Sequence, residues 1–165
     1  MAQRFFTVLQ APFGYTTPVV DGDGRLVELW TSDAREHLSA HGASRDLEKL
    51  KPVSEQLALY FDRKLTSFSL ALGMDGSPFQ MEVWRLLMEI PYGQTRTYGD
   101  LAHRLGRPDA SRAVGRANAT NPIAIVVPCH RVIGATGALT GYAGGIDVKR
   151  KLLELESGNL GGLFD

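Results

Sequence analysis

The chain has a single cysteine, Cys129, and its charges sum to zero. One cysteine excludes an internal disulfide and is compatible with a reducing compartment. No segment approaches the roughly 20 consecutive apolar residues that a membrane span needs. The N-terminus has neither the apolar region nor the small-residue cleavage pattern of a signal peptide. We therefore expect a cytoplasmic protein with no membrane partner.

Clusters of metal-binding residues are also lacking, because no cysteine and histidine residues have the spacing of zinc ligands. His37 and His41 lie four residues apart, which would bring them together on a helix. They have no third partner in the sequence. A solvated helix face explains the pair better, and we expect no metal site.

The charges are unevenly distributed although their sum is zero. Residues 1–75 carry eight Lys and Arg against ten Asp and Glu, whereas residues 95–131 carry six Arg against two Asp. Arginine is the cation that forks onto phosphates and stacks on bases. The second half of the chain is therefore a candidate for binding DNA, although a solvated basic face is a common alternative.

The first half predicts a small antiparallel sheet covered by helices. The DGDG sequence at 21–24 predicts a hairpin turn, because glycine tolerates the positive φ that such turns need. Asp33 is a candidate N-cap for a short helix, and Pro52 a candidate first residue of a longer one. Short strands are expected at 4–9, 16–20, 25–30 and 67–72.

The segment GMDGSP, at 73–78, predicts a boundary between domains at 1–75 and 76–165. Directly after it, Ser77, Pro78 and Gln80 have the pattern of an N-cap, a first helical residue and the partner in a capping box. The expected fold is mixed α/β (α+β), with a sheet-and-helix first domain and a mostly helical second domain. The tail SGNLGGLFD, from 157, gives no clear element.

Two short helices are expected within 97–120, the first capped by Thr97 and the second by Asp109, with Gly106 and Pro108 between them. This pattern predicts a helix-turn-helix. The second helix is rich in small residues, which would let its backbone approach another surface closely. Its two arginines are spaced for one face, as in a DNA recognition helix. An ordinary helical hairpin in the core remains the alternative.

Cys129 follows an apolar run, IAIVV at 123–127, which predicts a short buried strand. A thiol titrates near pH 8.5 and reacts as the thiolate, so a neutral-pH nucleophile needs a base or a positive neighbour. His130, acting through a water molecule, is one candidate. Glu156 is a candidate for the residue that orients the His130 imidazole. It occupies one position of an otherwise apolar helical stripe, so its side chain should be directed toward the core. A cysteine that only packs, and a Glu156 that pairs with a core arginine, are the alternatives.

Four segments together resemble the O6-alkylguanine-DNA alkyltransferase family: IPYGQTRTYGDLA, SRAVGRANATNP, VPCHRVIG and GYAGGIDVKRKLLELE. The motifs run from about 79 to 156, and residues 1–75 resemble the family's small ribonuclease-H-like domain only in outline. The resemblance implies transfer of an alkyl group from O6 of guanine in DNA to Cys129, once per protein molecule. It implies no cofactor, and a reactive thiolate maintained by His130 and Glu156.

The resemblance also implies roles for other residues. Asn121 would hold the turn around Cys129, and Tyr98 would crowd the target phosphate and donate to the guanine ring. Arg112 would fill the space left by a flipped base, with the small-residue helix in the minor groove of double-stranded DNA. The implied DNA-binding set is Tyr98, Ala110, Ser111, Arg112, Ala113, Arg116 and Arg131. The implied substrate pocket is Val132, Tyr142, Ala143, Gly144 and Lys149.

The sequence departs from the family pattern in two places. Position 143, an alanine here, is a serine in some members, and with no cysteine before 129 the zinc site of some N-terminal domains is absent.

Two other functions are alternatives: a DNA-binding regulator whose cysteine is idle, and a cysteine hydrolase, which would turn over many times. We expect a monomer. The sequence leaves open cooperative binding along DNA, alkyl groups larger than methyl and activity on O4-alkylthymine.

Overall fold

Residues 2–158 are described by a computed structural model. The chain divides into two compact units, Met1–Met74 and Asp75–Asp165, and each is described by itself. No helix within residues 2–158 is long and apolar enough to cross a membrane. The tail beyond Gly158, for which no element was expected, lies outside the described residues.

The first unit is built on a five-stranded sheet with two helices. The DGDG turn is confirmed, because the strands on either side of it pair antiparallel. A fifth, two-residue strand pairs parallel with the first. The elements are β1 (Arg4–Phe6), β2 (Leu9–Ala11), β3 (Gly14–Asp21), β4 (Leu26–Trp30), α1 (Arg35–Ala40), β5 (Ser44–Arg45) and α2 (Leu47–Phe61).

Three expectations for this unit are wrong in detail. Ala34 rather than Asp33 occupies the N-cap position of α1, and the Asp33 carboxylate accepts from the Arg35 N–H at 3.0 Å. Helix α2 begins one turn earlier than expected, because the Asp46 side chain accepts a hydrogen bond from the Lys49 N–H, and Pro52 lies inside the helix on its exposed side. Residues 67–72 form no strand and make only a single bridge, from Leu72 to Leu26. The Gln56 side chain takes both the N–H and the C=O of Ser69, so these groups are not available to a neighbouring strand.

The second unit is mostly helical. The capping box predicted at Ser77 and the N-cap predicted at Thr97 are confirmed, and Thr97 also forms a capping box, with Asp100. Ala110, rather than the predicted Asp109, occupies the N-cap position of the next helix, and Gly145 occupies that of the last one. The elements are α3 (Pro78–Leu87), β6 (Arg96–Thr97), α4 (Tyr98–Arg104), α5 (Ser111–Ala119), a 3-10 helix (Cys129–Arg131), β7 (Val132–Ile133) and α6 (Ile146–Ser157).

A short parallel ribbon organises the centre of this unit. Strands β6 and β7 pair with Arg96 opposite Val132 and Thr97 opposite Ile133. Since α4 starts directly after β6 and the 3-10 helix ends directly before β7, the ribbon brings Tyr98 to the segment that follows Cys129. Helix α4 contacts β6, α5 packs against α3 and α4, and both α3 and α6 contact the 3-10 helix.

Candidate active site

The segment before Cys129 is a sequence of tight turns and not the strand that its apolar residues predicted. Ile125 has a φ of 72°, which a β-branched residue rarely adopts, and the N–H of Val126 bonds the C=O of Ala124. Asn121 satisfies the backbone that a strand partner would otherwise satisfy. Its Oδ1 accepts from the Ile123 N–H at 2.9 Å, and its Nδ2 donates to the Val127 C=O at 2.7 Å.

Cys129 itself is 5% exposed and starts the 3-10 helix. Its N–H bonds the Val127 C=O across Pro128 at 2.8 Å. Its own C=O accepts from Nδ2 of Asn118, in the last turn of α5, at 3.3 Å. Asn121 also interacts with the thiol itself. The end of α5 therefore holds the sulfur-bearing residue from two sides.

The ring of His130 is fully buried, and its Nε2 lies 2.7 Å from Oε2 of Glu156. The same carboxylate receives two bonds from Arg131, Nε to Oε1 at 2.8 Å and Nη2 to Oε2 at 2.9 Å. These two partners hold the pKa of Glu156 well below its usual value, against the opposing effect of burial. An ionised carboxylate only accepts, so Nε2 of His130 carries a hydrogen and donates it.

The position of Arg131 corrects one expectation and resolves another. Arg131 was expected to contact DNA, but it is 7% exposed, and Nη1 donates to the Ile90 C=O at 2.6 Å. Because a buried cation needs a partner, its place in the core follows from Glu156. The two alternatives for Glu156, orienting a histidine and pairing with a core arginine, are both realised.

Burial raises the pKa of the Cys129 thiol, and the hydrogen bond to Asn121 and the charge of Lys149 only partly offset that effect. A raised pKa favours the protonated thiol, because surroundings that exclude water disfavour the charged form. The thiolate that the family resemblance implies at rest stays a prediction. Burial also lowers the pKa of His130, against the attraction of Glu156, so the imidazole is a neutral base. The proton must therefore move when the reaction occurs.

Lys149 joins α6 to the wall of the site. It is fully buried, and its Nζ donates to the C=O of Val132 and, at 2.9 Å, to the C=O of Thr140. Burial lowers its pKa to about 8, although the neighbouring Cys129 opposes that shift. The hydroxyl of Tyr98 donates to the same Thr140 carbonyl at 3.1 Å. Tyr98, Val132 and Lys149, all expected at the pocket, therefore lie together.

The loop after β7 supplies the rest of the expected pocket. The hydroxyl of Tyr142 is buried and faces the Cys129 thiol, and burial, with the thiol close by, raises the pKa of Tyr142 well above its ordinary value. Ala143 and Gly144 are exposed and follow Tyr142 directly. The loop thus places a polar side chain at the sulfur, followed by exposed backbone.

Helix α5 presents the residues that were expected to contact DNA. Arg112 and Arg116 are exposed, one turn apart, while Val114, Ala117 and Asn118 face the core. The half-buried residues at the start of the helix are Ala110, Ser111 and Ala113. Helix α5 therefore exposes two cations on one face and contacts Cys129 through Asn118 on another.

A family model described as the DNA-binding domain of 6-O-methylguanine DNA methyltransferase matches residues 78–158. A methylated-DNA–protein-cysteine methyltransferase of Methanosarcina acetivorans is 59% identical over 152 residues, which cover 92% of this chain and 97% of that protein. The chain belongs to the methylated-DNA–protein-cysteine methyltransferase family.

Solved structures agree with the assignment to the methyltransferase family. The O6-methylguanine methyltransferase of Mycobacterium tuberculosis is 43% identical, with a TM-score of 0.85 over the whole of both chains. A second structure, of Mycobacterium tuberculosis OGT in complex with DNA, is 44% identical, with a TM-score of 0.82 over 93% of each chain. The mixed fold of a small sheet with helices is thus that of known methyltransferases.

Some functional contacts of this methyltransferase were missed from the sequence. The sequence analysis assigned no role to Asn118, which lies among small residues of α5. It also did not assign Trp84 to the core, where the indole donates to the Ala117 C=O at 2.8 Å. The signal for Asn118 is its place in a helix interior, where asparagine is disfavoured unless its side chain has a partner. The role of the Thr140 backbone carbonyl could not be predicted from the sequence, because every residue type has a backbone carbonyl.

Metal-ligating side chains form no cluster in the described part of the chain. Among residues 2–158, no group of three or more histidine, cysteine or acidic side chains could hold an ion. His37 and His41 are exposed, and their rings stack with centroids 4.3 Å apart. The pair occupies a solvated helix face, as the sequence suggested.

Proposed function

We propose that this protein repairs DNA by moving an alkyl group from O6 of guanine to the sulfur of Cys129. The observation that carries the proposal is a buried thiol next to a histidine whose far nitrogen is fixed by an ionised carboxylate. This is the arrangement of a nucleophile, a base and a group that orients the base. Membership of the methyltransferase family supports the same chemistry.

The transfer is a single displacement. The thiol proton passes through a water molecule to Nδ1 of His130, and Glu156 stabilises the imidazolium that results. The thiolate attacks the alkyl carbon, an S–C bond forms, and the C–O6 bond breaks with its electron pair left on guanine. Guanine then takes a proton and departs as the repaired base. The Cys129 thiolate is a poor leaving group from the thioether product. The sulfur therefore keeps the alkyl group, and each protein molecule acts once.

Donors near the leaving guanine would stabilise the negative charge that develops on it. We assign this role to the Tyr98 hydroxyl and to the backbone N–H of Ala143, with Tyr142 and Gly144 as walls. By analogy with an oxyanion hole, each donor is worth about 3 kcal/mol of activation free energy. Tyr98 would exchange its bond to Thr140 for one to the base, while Lys149 remains on the Thr140 carbonyl.

For the partner we propose double-stranded DNA, approached through its minor groove by the small-residue helix α5 of a helix-turn-helix formed by α4 and α5. O6 of guanine is inaccessible within the stack, so the base must be flipped out. Arg112 would occupy the space that the base leaves, and Arg116 would contact a phosphate. Their exposure on α5 supports these roles.

We assign DNA binding and alkyl acceptance to domain 76–165 and regard domain 1–75 as a ribonuclease-H-like domain. The latter rests on its order of strands and helices. We propose that the protein acts as a monomer without a cofactor or a metal. A nucleophile that must stay reduced favours the cytoplasm.

The decisive experiment is mass spectrometry after incubation with duplex DNA that contains O6-methylguanine. We expect one methyl group on the peptide that carries Cys129, and a product that saturates at one equivalent. Repeated turnover on an ester would instead indicate a hydrolase. An unmodified Cys129 in folded, reduced protein would overturn the proposal.

The control is Cys129→Ala, which should accept no methyl group and should still bind the DNA. If wild type and this variant bind alike and neither accepts methyl, the protein only recognises lesions. The same assay with O4-methylthymine, and with guanines carrying larger alkyl groups, defines the substrate range.

A further inference from the structure

Three buried polar atoms around Cys129 have no hydrogen-bond partner. Among residues 2–158, six buried side-chain atoms lack one, and the three in the second unit are Oδ1 of Asn118, Nδ1 of His130 and the hydroxyl of Tyr142. Each of these residues adjoins Cys129: His130 in sequence, Asn118 through its bond to the Cys129 carbonyl and Tyr142 through the thiol. The three residues therefore have Cys129 as a common neighbour.

A buried polar group without a partner costs about 1–3 kcal/mol, so one that is retained needs an explanation. Buried water is the usual one, and such a molecule makes about three hydrogen bonds to protein groups. Three unpaired atoms of mixed donor and acceptor character at one thiol are enough to hold it. Elsewhere in the described chain the unpaired atoms belong to the first unit, far in sequence from this chemistry.

Asn118 is the member whose presence needs most explanation. It is 1% exposed in the last turn of α5, where an apolar residue would cost less. Its Nδ2 donates to the Cys129 carbonyl, so Oδ1 of the same flat amide is an acceptor held close to the Cys129 main chain. His130 offers a second acceptor there, because its Nε2 hydrogen is directed to Glu156 and its neutral Nδ1 carries none.

We propose that Asn118 is a positioning residue for alkyl transfer, which holds the Cys129 carbonyl through Nδ2 and, through Oδ1, the water that carries the thiol proton to His130. This rests on the proposed function. The water donates one hydrogen to Oδ1 of Asn118 and the other to Nδ1 of His130. It accepts from the thiol and from the Tyr142 hydroxyl. All four of its bonds are thus used, and the three unpaired atoms are satisfied.

The proton balance follows from this arrangement. The water gives a hydrogen to Nδ1 as it takes the one from sulfur, so it is unchanged, and the products are a thiolate and an imidazolium. Without Asn118 the water keeps one partner fewer and can rotate away from Nδ1. The thiolate is then formed less readily, and a higher pH is needed for the same rate.

The groups that titrate or carry charge around the thiol are contributed by the 3-10 helix, α4, α6 and the loop after β7. None of them is removed by a change at 118. They are Tyr98, His130, Arg131, Tyr142, Lys149 and Glu156.

The test compares Asn118→Leu with wild type in the transfer rate from O6-benzylguanine, followed from pH 6 to pH 10. The free base avoids any effect on DNA binding. Since general base catalysis contributes about 10²–10⁴-fold, we expect a loss of about tenfold at neutral pH, which shrinks as the pH rises. Asn118→Ser, whose hydroxyl still accepts and whose smaller size admits water, should recover most of the rate.

Val114→Ala is the matched control, because Val114 is buried on the same helix and has no polar side-chain atom. It should lower stability without moving the pH profile. An equal shift in Val114→Ala would mean that loosening of α5 explains the effect and would overturn the proposal. So would an Asn118→Leu profile that is superimposable on that of wild type.

A crystal structure of the wild-type protein gives a test that needs no variant. Density for a water within hydrogen-bond distance of both Asn118 Oδ1 and His130 Nδ1 is expected, and a dry or otherwise occupied position would refute the inference. Failure of wild type to accept benzyl at all would count against the proposed function. Normal wild-type transfer with an unaffected Asn118→Leu would count against Asn118 alone.

Discussion

Nε2 of His130 and Oε2 of Glu156 lie 2.7 Å apart, with side chains that are 0% and 1% exposed. The carboxylate belongs to α6 and the imidazole to the 3-10 helix, 26 residues earlier. Such a pair is stable in the core only because Arg131 supplies a full positive charge to the same carboxylate. The stability of the unit and the basicity of the candidate base therefore depend on one acidic residue.

Replacing Glu156 by Gln should cost both stability and activity. Arg131 would become a buried cation with no countercharge, which typically costs about 3–5 kcal/mol. His130 would lose the charge that stabilises its protonated form, so alkyl transfer should fall as well. Urea unfolding and transfer from O6-benzylguanine measure the two effects. Glu154→Gln, on the same helix and with no ion pair among residues 2–158, should change neither, and an equal loss there would disprove this account.

The dependence of stability on pH follows from the two shifts. Because the pKa of Glu156 is lowered from 4.5, its contribution to stability is present above that value and is lost as the pH falls further. Because the pKa of His130 is lowered from 6.5, the folded state loses stability as the pH falls through that value, since unfolding lets the imidazole take up a proton. Urea titrations from pH 8 down to pH 3 should show two successive losses, and the second should be smaller in Glu156→Gln. The part that remains comes from Asp21, Asp33 and Asp100, whose pKa values are also lowered.

Local signals in the sequence were sufficient to place several helix starts. Ser77 with Gln80, and Thr97 with Asp100, form capping boxes because all the atoms involved lie within four residues. The buried position of Glu156 could also be predicted, since the helical period places it among Leu152 and Leu155. In each case the structure follows from residues that are neighbours in sequence.

Other features depend on contacts that no local pattern specifies. The apolar run before Cys129 has the composition of a strand, but Asn121 satisfies its backbone and turns it. Arg131 looked like a cation for DNA because its partner lies 25 residues away on another helix. The protonation state of the thiol depends on burial, which a single sequence does not reveal.

Lys149→Met should slow transfer most below pH 8. The pKa of Lys149 is lowered to about 8, so the wild-type amine carries a charge beside the thiol only below that pH. This charge favours the thiolate. Rates with O6-benzylguanine should differ clearly at pH 7 and converge near pH 9, where both side chains are neutral. A constant ratio across this range would mean that the loss comes only from the two hydrogen bonds that Lys149 donates to the carbonyls of Val132 and Thr140.

Arg112→Ala should separate DNA from free-base reactions. The side chain is exposed on α5, away from the buried face on which Asn118 bonds to the Cys129 carbonyl. Transfer from duplex DNA should therefore fall, because a flipped base would have nothing to replace it in the stack, while transfer from O6-benzylguanine is unchanged. Arg85→Ala, another exposed arginine of this unit, is the control. Equal losses with both substrates would argue for damage to the site.

Gly76→Ala should destabilise the second unit through Trp84. A Cβ at position 76 would lie 2.6 Å from two carbons of the indole ring, and that ring cannot move freely because its Nε1 donates to the Ala117 C=O at the end of α5. Overpacking of this kind costs about 1–3 kcal/mol. Gly22→Ala is the control, since a Cβ there meets nothing within 4 Å. Urea unfolding should show the loss only in Gly76→Ala, and Gly76→Ala with Trp84→Phe, which frees the ring, should recover part of it.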